Sequence, residues 1–197
     1  MALRLTLIAH GATAATRAAR FPRDEPLEDR AVPRVRALAH HLPRTDRAVA
    51  SPALRARQTV EFLGLAAEID DDLRDCDHGR WAGLRLDAVA AAEPDAVAAW
   101  LSDPEAAPHG GESIAALILR NARWLDRQAA AAAPERLVAV THAAIVRAAI
   151  VNVLAAPASA FWRIDVAPLS CTEIVADAGR WTLHRMAATR TANDPVD

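Results

Sequence analysis

Two apolar runs constrain this chain more than any other feature: LRLTLIA at 3–9 and LVAVT at 137–141. Each runs straight into a histidine, His10 and His142. Runs with so little polar alternation suit strands buried on both faces of a parallel sheet. A third, RAVAS (47–51), is shorter and ends at Ser51-Pro52. The intervening periodicity is helical: Val32–Leu42, Ala53–Leu63 with Gly64 as its stop, Leu86–Ala92, Pro94–Leu101, Glu112–Ala133, and a helix from His142 through Leu154. Further strands are expected at Ile164–Val166, Leu169–Val175 and Trp181–Met186. Strands alternating with helices predict an α/β fold, a three-layer α/β/α sandwich around a mostly parallel sheet. A length of 197 residues suits one domain over 1–187, with ATRTANDPVD (188–197) reading as a loose tail.

In sheets of this type ligands bind beyond the carboxyl ends of the strands. Three segments able to do chemistry fall there. His10 is followed by Gly11, which lets backbone approach a ligand; it reads either as a nucleophile or as a turn histidine. SPALRARQT (51–59) sets Arg55 just inside a helix, where backbone N–H groups and a guanidinium fork favour a phosphoryl group, or else Arg55 is a surface arginine. THAAIVR (141–147) puts His142 at a helix start, a partner for an anion or a histidine bonding its own backbone. LRDCDHGRWAG (73–83) carries carboxylates two residues apart, one of which could protonate a leaving oxygen.

The order LIAHGAT, RF…DEPL, SPALRARQT, LRDCDHGRWAG, PHGGES, VTHAAIVRA resembles the histidine phosphatase superfamily, also called phosphoglycerate mutase-like. The family pattern runs LxRHGxT, SPxxRAxQT, LxExxxGxWxG, PGGES and SHGxxxR, and the resemblance covers residues 3 to 150. It implies that neutral His10 attacks phosphorus to form a phosphohistidine while Arg55 and protonated His142 bind the phosphoryl oxygens. Asp75 falls at the acid, to protonate the leaving alkoxide and then deprotonate water. Cationic neighbours would depress His10 and a carboxylate partner would hold His142 protonated. The resemblance also implies a phosphate-binding role for Gly11, Thr13, Thr16, Arg20 and Ala143.

Three positions depart from the pattern. Ala9 replaces the arginine before the nucleophile, Thr16 replaces an asparagine, and Asp75 is one methylene shorter than the usual glutamate. Losing one charge-assisted phosphoryl contact is worth ~3–4 kcal/mol, or ~10²–10³-fold in rate, so a slow enzyme would survive. Arg17 or Arg20, in the following loop, are candidates to reach the space Ala9 leaves. The expected activity is hydrolysis of a small phosphomonoester; the competing class is a family member that only binds a phosphorylated metabolite or a protein partner. A mutase would need longer insertions over the site than the short alanine-rich helices between Gly83 and His109.

No cofactor is expected and no metal, since no histidine or carboxylate set has ligand spacing. A net charge of −2 gives no general reason to bind nucleic acid or an anionic membrane. No apolar stretch reaches a membrane span, and two distant cysteines make no disulfide framework, so the expected location is the cytoplasm. Many such folds form homodimers. Among five tryptophans, Trp81 is the one expected near substrate, and Glu112 and Ser113 are expected at a helix start beside the pocket.

Overall fold

The computed structural model describes residues 2–131 and 135–187; the predicted tail at 188–197 lies outside them. Six strands form one sheet in the order β3-β2-β4-β1-β5-β6: β1 Leu3–Ala9, β2 Arg47–Ala50, β3 Ala67–Ile69, β4 Arg136–Thr141, β5 Cys171–Asp177 and β6 Arg180–Ala187. The first four run parallel, and β5 and β6 add an antiparallel edge. The helices are α1 Ala14–Arg17, α2 Val32–Ala39, α3 Leu54–Leu63, α4 Leu86–Ala92, α5 Pro94–Ser102, α6 Ile114–Ala131 and α7 Ala143–Val153.

Alternation along the central strands explains the layers. Leu3, Leu5, Leu7 and Ala9 of β1, with Leu137 and Ala139 of β4, pack against Leu117, Trp124 and Leu125 of α6 and Val146 and Ile150 of α7. Ile8, Val138 and Val140 face the other way, onto Val35 and Leu38 of α2 and Ala56, Val60 and Leu63 of α3. Gly64 closes α3 at φ +69, a left-handed cap that suits glycine. A third cluster, Phe21, Trp81, Val89, Val97 and Trp100, gathers α4 and α5 beside the carboxyl ends of the strands.

Register sets the site. Ala9 pairs with Thr141, and the ladder continues one step further as the His10 N–H donates to the Thr141 carbonyl at 2.8 Å. Ser51 N–H likewise donates to Val140 at 3.0 Å. Three strands therefore end in step.

The sequence reading differs from the structure in several places, among them α2, which ends at Ala39 rather than Leu42, and β5, which starts at Cys171 rather than Leu169. Ile164–Val166 is not a strand: β5 takes the free edge of β1, and the residues follow a 3-10 turn at Ala158–Arg163. β3, three residues long, is recognisable only by its pairing with β2, and α1 is a single capped turn. The helix expected over Glu112–Ala133 begins at Ile114 and runs to Ala131, with 132 and 133 lying outside the described residues.

Candidate active site

Each reactive side chain is placed by a strand end or by a loop pinned to one. His10 follows β1, and its Nδ1 lies 2.7 Å from the Gly11 carbonyl. A carbonyl only accepts, so Nδ1 carries the proton and Nε2 the lone pair. That lone pair accepts from Arg55 Nε at 3.1 Å. Arg55, buried on the first turn of α3, also donates to the Arg23 carbonyl and to Asp75 Oδ2 at 2.9 Å. His142 caps the start of α7 with its ring 5.1 Å from that of His10. Its Nε2 lies 2.7 Å from Ser51 Oγ, which already accepts from the Ala53 N–H. The Ser51 hydroxyl proton is thus free to go to Nε2, and the His142 proton falls on Nδ1. That atom sits 3.3 Å from Asp75 Oδ2 without hydrogen-bond alignment.

Asp75 lies on an irregular segment fastened from several sides. Thr141 Oγ1 donates to the Leu73 carbonyl at 2.8 Å, and Trp124 Nε1 donates to Asp70 Oδ2 at 2.7 Å. One turn away on α6, the Arg120 guanidinium donates to the carbonyls of Asp72, Arg74 and Asp75 while pairing with Glu112 at 2.7 Å. Gly111 lies flat against the same segment, where an added Cβ would stand 2.1 Å from the Asp77 carbonyl oxygen. Gly111→Ala is therefore expected to push the Asp75 segment away and cost about 1–3 kcal/mol. A thermal melt should show a Tm drop together with a lower kcat; an unchanged Tm would mean the loop yields freely.

Electrostatics follow from this packing. Burial, then the nearby Arg55 charge, lowers the His10 pKa from 6.5, which keeps the ring neutral. Burial would raise Asp75, but His142 and Arg55 outweigh it and hold the carboxyl well below the usual range. His142 departs from expectation: burial drives its pKa down to about 3 against the opposing pull of Asp75. In the ligand-free site, burial thus disfavours charge on both imidazoles, while the Asp75 carboxylate and the Arg55 guanidinium remain charged and paired.

These residues open into a cavity of about 400 Å³ lined by His10, Arg55, Asp75, Thr13, Thr16 and Arg20, with Ala143 and Ala144 on the α7 side. Thr13 caps α1 in a reciprocal pair with Thr16. Gly11 does not line the cavity: its N–H donates to Thr59 Oγ1, and its missing Cβ makes room for Leu27 and Val35. Arg17 is held outside by Glu28 at 2.8 Å, whereas Arg20 lines the wall. Ala9 packs into the sheet core rather than leaving an open space.

Trp81 is fully buried, edge to ring with Trp100, and is not part of the wall. Trp100 and Trp162, 4.5 Å apart, line it instead. Glu112 is spent on Arg120, and Ser113 caps α6 through the Ala116 N–H. Arg120 and Trp124, which fix Asp75, were not singled out from the sequence; their i, i+4 spacing on α6 was the available signal. Among the described residues no group of three or more His, Cys, Asp or Glu is placed to hold a metal ion, and no helix is long and apolar enough to cross a membrane.

Known proteins resemble this chain in sequence and in fold. A family model described as histidine phosphatase superfamily (branch 1) matches residues 5–189. The bifunctional protein Rv2228c of Mycobacterium tuberculosis is 31% identical over 185 residues, covering 88% of this chain and 51% of that protein. The glucosyl-3-phosphoglycerate phosphatase of M. tuberculosis is 32% identical over 124 residues, 53% of this chain and 56% of that protein. The chain thus spans about half the length of these curated relatives. The solved structure of mycobacterial glucosyl-3-phosphoglycerate phosphatase Rv2419c complexed with VO3 superposes with a TM-score of 0.83 at 27% identity, covering 92% of this chain and 96% of that one.

Proposed function

The chain belongs to the histidine phosphatase superfamily, branch 1, and from that premise we propose that it hydrolyses a small phosphomonoester through a phosphohistidine on His10. The observation that carries this reading is the His10 ring itself. Its proton is committed to the Gly11 carbonyl, its Nε2 lone pair faces the cavity, and Arg55 stands against that lone pair. Similarity to a glucosyl-3-phosphoglycerate phosphatase and to phosphoserine phosphatase 1 of Hydrogenobacter thermophilus, 27% identical over 146 residues, supports phosphate-ester hydrolysis. Metal independence and cytoplasmic location belong to the same proposal.

In the free site Arg55 is satisfied by His10 and Asp75. A phosphoryl dianion competes for those donors, and as Arg55 turns to it the His10 lone pair is released. Nε2 then attacks phosphorus in line, forming the N–P bond as the ester P–O bond breaks. Loss of the Arg55 bond and the approach of a dianion both raise the proton affinity of Asp75, which takes up a proton from solvent or from the ester monoanion and delivers it to the departing alkoxide. The same negative charge favours protonation of His142, whose Nδ1–H is the donor without an aligned partner. In the second step Asp75 takes a proton from water as its oxygen attacks phosphorus and the N–P bond breaks, restoring His10. Ala9 offers no second guanidinium, so Arg20, on the cavity wall, is the residue proposed to supplement Arg55.

Asp75→Asn tests the acid–base assignment. It should lower turnover of an alkyl phosphate by ~10²–10⁴-fold, because that alkoxide cannot leave unprotonated. An aryl phosphate, whose leaving group needs less help, should be affected less in the first step. With no base for water, acid-labile phosphate should accumulate on the protein. Equal losses on both ester types, with no trapped phosphate, would remove Asp75 from this role.

The direct experiment is phosphate release from an aryl phosphate over about pH 4 to 8, paired with a rapid quench for acid-labile, base-stable phosphate on histidine. His10 must be neutral to attack, and its pKa is lowered, so activity should persist below pH 6.5. If neither release nor labelled histidine is seen, and a panel of phosphorylated metabolites binds without turnover, the chain is a binding protein.

A further inference from the structure

We infer that Arg147 selects phosphomonoesters whose leaving group carries a carboxylate, an assignment that rests on the phosphatase reading above. Arg147 lies on α7 and lines the cavity beside Ala143, Ala144, Phe161 and Trp162. Its Nε donates to the Ile164 carbonyl at 2.8 Å, and its guanidinium carbon stands 5.7 Å from the Phe161 ring centroid. These two contacts fix the plane of the guanidinium and leave its terminal nitrogens without a protein partner among the described residues. The other interior guanidiniums are balanced by carboxylates, Arg55 by Asp75 and Arg120 by Glu112. Among the described residues Arg147 has no carboxylate oxygen within 4 Å; Asp165 and Asp75 act on it only from a distance, and burial lowers its pKa.

A half-buried cation without a counter-ion is costly unless a ligand supplies the anion. Position says which part of the ligand. Arg147 is five residues past His142 on the same helix, ~7 Å along its axis. That is too far to share the phosphoryl oxygens with Arg55, yet within reach of a group a few bonds beyond the ester oxygen. The chemistry says which anion. One guanidinium among alanine, phenylalanine and tryptophan side chains balances one negative charge, and its fork matches a planar carboxylate two-to-two. A second phosphate dianion would be left undercompensated. The small side chains of Ala143 and Ala144 leave the path between the two anion sites open.

The test compares phosphoserine with phosphoethanolamine, which differ by the carboxylate alone. Wild type should favour phosphoserine in kcat/KM by ~10–100-fold, the worth of one charged hydrogen-bonded pair. Arg147→Met should bring that ratio close to one, chiefly through KM, and Arg147→Lys should keep part of it. A wild-type ratio near one overturns the assignment. So does a loss in Arg147→Met that strikes both esters equally, since a merely structural role would do that. If no ester, aryl phosphate included, is turned over, the phosphatase reading has failed and Arg147 is judged by calorimetric binding to wild type. Phosphoserine should then bind more tightly than phosphoethanolamine, and equal affinities overturn the assignment.

Discussion

Replacing His10 with alanine is expected to lower kcat on an aryl phosphate by at least ~10⁴-fold, since no other residue can form the covalent intermediate. Asp75 is tied into ion pairs and His142 bonds Ser51, so neither is free to attack phosphorus in place of His10. The fold should survive the change, because among the described residues the His10 side chain joins other elements only by accepting from Arg55 and by its edge contact with the His142 ring. Added imidazole should restore part of the activity by entering the vacated space and acting as nucleophile. A circular dichroism melt close to wild type, with turnover gone and imidazole rescue present, would establish the role. Residual turnover within tenfold of wild type would exclude a phosphohistidine on His10.

Arg55→Met should be milder in rate, and unlike His10→Ala it should act on stability as well. Removing the guanidinium takes away the principal phosphoryl-binding group, about 10²–10³-fold in kcat by analogy with other lost transition-state donors. It also leaves the Asp75 carboxylate beside a buried imidazole without its cation. Breaking one side of such a pair costs about 3 kcal/mol, the low end of the range because Asp75 retains 19% of its side-chain exposure. The cycle with Asp75→Asn separates the two effects. Removing both partners should restore much of the stability lost in Arg55→Met, while activity stays absent. Additive losses in urea titration would mean the pair contributes nothing to folding.

The sequence carried the fold wherever burial was continuous. β1 and β4 were readable because a central parallel strand is apolar on both faces, and their ends delivered His10 and His142 directly. Short or polar elements were not readable in this way. β3 has exposed residues and exists through its pairing with β2, while Ile164–Val166 has strand-like residues and no sheet edge to join. The convergence of His10, Arg55, Asp75 and His142 was legible from motif order. Its protonation was not. Whether a carboxylate keeps His142 charged depends on how deeply the ring is buried, a property of the packed α7 start that no local pattern encodes. Gly11 shows the same limit: the residue type signalled a close approach, but the approach is by Leu27 and Val35 rather than by a ligand. Trp81 and Trp100 exchanged roles because their cluster buries one ring and turns the other to the cavity.

The in-step ending of β1 and β4 has a consequence for unfolding. His10 and His142 are far apart in the chain, yet they leave neighbouring strands at the centre of the sheet, one hydrogen-bonded step beyond the Ala9–Thr141 pair. Nothing short of docking both central strands can bring them together, so the reactive pair belongs to the last region to open rather than to a fraying edge. Activity should therefore report global unfolding: in a denaturant series the loss of turnover and the loss of sheet signal should coincide, leaving no window in which an inactive chain still keeps its core.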